Sequence, residues 1–145
     1  MKISLSINSE KYIDLAFDVT AAIVNQLDDN EQNIPVYSTL AEHSSSEVRS
    51  AIAYKSCLPR KIFKRLAEDS SIEVVKVIAT NITALEMFDL HLIRNMIDRD
   101  VSIAITIANS LYAMNEEVRG EVIDYLMLHN DPQVLMIAQE YMQEQ

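Results

Sequence analysis

Apolar residues recur at helical spacing along most of the chain. They fall at Val48, Ala51 and Ile52, and again at Val74, Val77 and Ile78. Spacing of i, i+3, i+4 puts one apolar stripe on each helix and predicts amphipathic helices. Residues 72–80, IEVVKVIAT, have the β-branched content of a strand. They stand in one of two copies, however. Residues 40–55 read LAEHSSSEVRSAIAYK, residues 66–81 read LAEDSSIEVVKVIATN, and nine of sixteen positions agree at an offset of 26. The first copy lacks the β-branched excess, so both are read as helical. A serine followed three residues later by glutamate opens each, at Ser44…Glu47 and Ser70…Glu73, and Thr83…Glu86 repeats the device. This is the spacing of a capping box, which makes sense before a helix and none before a strand.

Two weaker copies follow, starting at 96 and 126. Ile103, Ile107 and Ala108 stand near the places of Val74, Ile78 and Ala79, while Leu126, His129 and Val134 match Leu40, His43 and Val48. Asp100 and Asp131-Pro132 read as helix starts. The spacings of 26, 30 and 30 residues lie in the range of stacked supersecondary units. The predicted map is a capping helix over 10–28, then pairs at 35–43 with 46–55, 59–68 with 71–81, 84–98 with 101–112, and 116–129 with 132–143. Before them, Ile3, Leu5 and Ile7 alternate with polar residues. That period suits an extended arm over residues 1–9, with an early helical turn as the alternative.

The pattern Leu40-Ala41-Glu42, Glu47-Val48-Arg49, Ala53, then Leu58-Pro59 and a second Leu66-Ala67-Glu68-Asp69, resembles the leucine-rich repeat variant family. More broadly it is similar to HEAT-like and armadillo proteins. The resemblance covers about residues 40–140 and is clearest over 40–81. It implies an all-α fold: a right-handed α-solenoid of about four degenerate helix pairs behind an N-terminal capping helix. The expected layout is one domain, with the cap in 10–34 and repeats at about 35–58, 59–83, 84–114 and 115–145. It also implies a non-enzymatic scaffold or adaptor that binds protein. The rival classes are a structural homo-oligomer and a HEAT-like nucleic-acid-binding protein.

Charge weighs against the last of these. The net charge is −10, and phosphate backbones repel such a surface. The distribution is uneven: residues 49–76 hold seven basic side chains against three acids, and 115–145 hold seven acids against Arg119 alone. The single glycine, Gly120, makes a phosphate-binding loop impossible, and the single cysteine, Cys57, allows no internal disulfide. No zinc or calcium spacing is present, so no metal and no cofactor is expected. Nor is there a leader-like stretch or an apolar run long enough for a membrane span, and a cytoplasmic location is expected.

Candidate contact residues come from helix geometry. If Val48, Ile52, Val74 and Ile78 face the core, Arg49, Tyr54, Lys76, Thr80 and then Thr106 face outward and could grip an extended partner segment. Arg60, Lys61, Lys64 and Arg65 form a basic patch around the apolar stripe Ile62, Phe63 and Leu66. It is read as the wet face of an amphipathic helix, or as a site for an acidic partner such as the C-terminal half of a second copy. The uncharged run 101–115 is either a covered central helix or, through Ile105, Thr106 and Tyr112, an exposed apolar patch. His43 and His129 are read as helix-end residues rather than ligands, and Cys57 as inert rather than reactive.

Overall fold

The computed structural model describes residues 4–7, 10–14 and 16–144. Two strands come first. β1 (Ser4–Ile7) pairs antiparallel with β2 (Glu10–Asp14), Leu5 opposite Ile13 and Ser6 opposite Lys11, so that a bulge takes up Tyr12. The alternating N-terminal segment thus finds its ladder partner in the residues that follow it, and a hairpin satisfies its backbone groups locally. Residues 1–3, 8 and 9 of the expected arm lie outside the described residues. The helix expected from residue 10 is corrected accordingly: α1 runs only over Phe17–Gln26.

Among the described residues nine further α-helices follow: α2 (Ile34–Leu40), α3 (Ser46–Ala53), α4 (Arg60–Ala67), α5 (Ile72–Thr80), α6 (Ile82–Met87), α7 (Leu90–Ile97), α8 (Val101–Asn109), α9 (Glu116–Leu126) and α10 (Pro132–Gln143). They pack in two rows. In one, α1, α3, α5, α8 and α10 each lie against the next; in the other, α4 packs on α7 and α7 on α9. Each of these also touches its row-one mate, α4 on α5, α7 on α8 and α9 on α10, and α2 packs on α3.

The repeat explains the core. Leu40, Leu66, Met96 and Leu126 hold one repeat position, and all four have no exposed surface. Val48, Val74, Ile103 and Val134 hold a second and are equally buried. Burying each such side chain contributes about 1.5–3 kcal/mol. The buried residues form one continuous cluster from Ala21 to Ala138.

Two local expectations change. The helix predicted over 84–98 is broken. Phe88 leaves helical geometry at φ −83° and ψ 143° and is buried, and the Asp89 carboxylate caps α7 by accepting from the Leu92 N–H at 2.9 Å. Thr83…Glu86 lies inside α6, whose cap is Asn81. The extra helix α6 accounts for the longer spacing between residues 66 and 96. The serine caps are also displaced by one residue. Ser45, not Ser44, accepts from the Glu47 N–H, and Ser71, not Ser70, precedes α5 without a side-chain cap bond. Asp100 and Asp131 cap α8 and α10 as expected.

The uncharged segment is α8 followed by a 3₁₀ turn at Leu111–Ala113. α8 lies between α5 and α10 with α7 and α9 against it, and Ile103, Ala104, Ile107 and Ala108 are buried. The covered-helix reading fits most of the segment, while Tyr112 stays 62% exposed. Among the described residues no helix is long and apolar enough to cross a membrane.

Candidate interaction surfaces

Polar side chains fasten each helix pair to the one before. Lys55, just past α3, is buried and donates from Nζ to the Leu27 carbonyl at the end of α1, 2.7 Å away. Asn81, the equivalent residue just past α5, donates from Nδ2 to the Ala53 and Lys55 carbonyls at 2.9 and 3.1 Å. Both supply a donor to the helix-terminal carbonyls of the previous repeat, which have no partner within their own helix. Lys55 also lies 5.5 Å from the centre of the Tyr37 ring. A second device recurs in the other row. Arg65 donates to Glu42, and Tyr125 at the equivalent position donates from its hydroxyl to Asp98 Oδ1 at 2.7 Å.

Arg49 is the main departure from expectation. Predicted to face a partner, it instead forms a bidentate pair with Asp69 at 2.7 and 2.9 Å, with side chains only 13% and 6% exposed. Its Nη1 also donates to the His43 and Ser44 carbonyls. Its place on the helix does lie away from Val48 and Ile52, but the next repeat covers it. Burial alone would raise the Asp69 pKa, yet the Arg49 bond, the Ser71 N–H and the Arg99 charge hold it below the usual value. Arg99 in turn donates to the Asp69 carbonyl. Asp69 therefore joins three successive pairs.

The other predicted contact residues divide. Tyr54, 65% exposed, and Thr80 line one shallow groove with Ser56, Asn81 and Ile82. Lys76 and Thr106 are half-buried elsewhere, and the Thr106 hydroxyl is spent on the Ser102 carbonyl at 2.8 Å. In the basic patch, Lys61 and Lys64 are exposed on α4, whereas Arg60 reaches Asp89 at 3.5 Å and Arg65 holds Glu42.

One further groove was not foreseen. It measures about 760 Å³ and opens between the loop joining α7 to α8 and the loop joining α9 to α10. Asp98, Asp100 and Asp131 give it three carboxylates against the one guanidinium of Arg99, which is bonded to the Asp69 carbonyl, and Val101 and Leu128 give it apolar surface, Leu128 being 81% exposed. Leu128 occupies the repeat position of Glu42, Glu68 and Asp98. That break in an otherwise acidic position was the sequence signal for the site. The Asp98 hydrogen bond, with burial behind it, raises the Tyr125 pKa, and the Arg94 guanidinium sits 4.7 Å from the Tyr125 ring.

The histidines serve the inter-helix turns. His43 Nδ1 accepts from the Ser45 N–H and His129 Nδ1 from the Asp131 N–H, both at 3.0 Å, so they receive bonds from the next helix start rather than donating to the previous helix end. Asp69 Oδ1 does the same for the Ser71 N–H. Burial, with the Arg49 charge adding, lowers the His43 pKa. Burial first, and then the Asp29 carboxylate, push the Cys57 thiol up to about 11. A thiol so protonated is a poor nucleophile at neutral pH. Among the described residues no cluster of His, Cys, Asp and Glu is placed to hold a metal ion. The chain matches no protein-family profile, no curated protein and no solved structure.

Proposed function

We propose that the chain is a right-handed, HEAT-like α-solenoid of the leucine-rich repeat variant kind and works as a non-enzymatic, cytoplasmic scaffold that binds protein. The repeated helix pairs and their repeated polar fastenings support the architecture, because such units stack into extended binding surfaces. One observation carries the binding role: the groove between the third and fourth pairs, where an exposed leucine stands beside three carboxylates. This chemistry suits an extended segment carrying lysine or arginine next to a bulky apolar side chain, the apolar anchor giving affinity and the charges register.

Selection from a library of random displayed peptides tests it. Enriched peptides are expected to pair basic and bulky apolar residues, and to bind Leu128→Asp at least about tenfold more weakly, a loss of about 1.4 kcal/mol. Leu128 is too exposed for that change to disturb the core. Peptides without that composition, or equal binding to the variant, refute the assignment of the groove.

A further inference from the structure

We infer that the outer face of α9 docks the basic face of α4 in a second copy of this chain, giving head-to-tail self-association. Three observations meet here. On α9, Glu117, Glu121 and Asp124 are all exposed, and their spacing of four and three residues puts them on one stripe. On α4, Lys61 and Lys64 are exposed three residues apart and have no ion-pair partner among the described residues, while Arg60 beside them is 64% exposed. The two stripes cannot meet within one molecule. Helix α7 lies between them, touching both α4 and α9, so their axes stand roughly 16–20 Å apart at ordinary helix spacing.

The third observation is the only glycine of the chain. Gly120 sits inside α9, three residues after Glu117 and four before Asp124. A Cβ built there would meet nothing within 4 Å, and its φ is not positive. The fold therefore does not need a glycine, although glycine is unfavourable in a helix interior. Between acidic side chains it leaves bare backbone that a second helix can approach closely. The occupant is chosen by charge: α4 carries the basic stripe, and the surrounding chain is acidic. Because the two faces differ, each copy offers one of each, and association runs head to tail into a ring or an open filament rather than a two-fold dimer.

Charge-swapped pairs test this by sedimentation velocity. Wild-type protein is expected to associate at about 0.01 M salt and to dissociate at about 1 M, where the screening length falls from about 30 Å to about 3 Å. Lys61→Glu with Lys64→Glu makes both faces acidic; Glu117→Lys with Glu121→Lys makes both basic. Each double variant alone should associate at least about tenfold more weakly, since like charges then face each other. An equimolar mixture of the two should recover salt-sensitive association. A fold damaged by substitution would not be rescued in this way. Gly120→Leu, in open space, should keep the thermal stability and lose association. A wild type that stays monomeric at low salt, variants that associate undiminished, or a mixture that stays monomeric would each overturn the inference.

Discussion

Replacing Arg49 tests how the stack is fastened. Arg49→Met keeps most of the aliphatic volume and removes the guanidinium. The Asp69 carboxylate, 6% exposed, is then left with the Ser71 N–H and the Arg99 charge. Removing one partner of a fully buried ion pair costs about 3–5 kcal/mol. Residual solvent access and the remaining donors reduce this, so a loss of about 2–4 kcal/mol is expected. For a chain of this length that corresponds to a fall in Tm of roughly 5–15 °C. Arg49→Met alone also removes the bonds to the His43 and Ser44 carbonyls. A double-mutant cycle with Asp69→Asn separates the pair from those bonds, and its coupling should be about 1–3 kcal/mol by urea unfolding. The pH dependence follows from the same bond. The Asp69 pKa is lowered by folding, so its contribution is present above the unfolded value of about 3.9 and is lost as pH falls through the lower folded value. Coupling below about 0.5 kcal/mol would mean that Arg49 is a solvated side chain and that the predicted outward role was correct.

Three other perturbations bear on the same architecture. Asn81→Ala removes the α6 cap and leaves the Ala53 and Lys55 carbonyls without their donor; a loss of about 2–4 kcal/mol by urea unfolding is expected, and a loss under about 0.5 kcal/mol would show that water replaces it. Gly120→Ala, with open space around the new methyl, should stabilise the chain by roughly 0.5–1 kcal/mol, and destabilisation would contradict the helical geometry at that residue. Cys57, half-buried and with its thiol raised to about 11, should react with a thiol-specific reagent at pH 8 far more slowly in the folded state than in urea; equal rates would contradict that raised value.

The helix stack was legible in part. Two copies at an offset of 26 gave the pairs, and Val48, Ile52, Val74 and Ile78 have no exposed surface, as their spacing predicted. Asp100 and Asp131 mark their helix starts. What failed depended on contacts between repeats. Helical geometry puts Arg49 off the core stripe, but only the next pair, through Asp69 twenty residues on, turns that side chain inward. Lys55 and Asn81 share a repeat position and a task despite differing in chemistry, which a search for identities passes over. The break at Phe88 escaped because its cap, Asp89, was one acid among many and Thr83…Glu86 offered a more familiar signal. The hairpin was half seen: β1 shows a period of two, while β2 carries Glu10, Lys11 and Asp14 and lacks a clean alternation.

Native-state hydrogen exchange resolved by residue tests most directly whether the chain is a stack of nearest-neighbour pairs. In such a stack the local opening free energy depends on how many neighbours a helix has. α3, α5 and α8 have row neighbours on both sides, whereas α10 has one. Protection is therefore predicted to be greatest in α3, α5 and α8 and to fall at α10, with Arg49→Met lowering it most in α3 and α5. A single opening free energy shared by every helix from α2 to α10, shifted uniformly by that substitution, would contradict the repeat architecture.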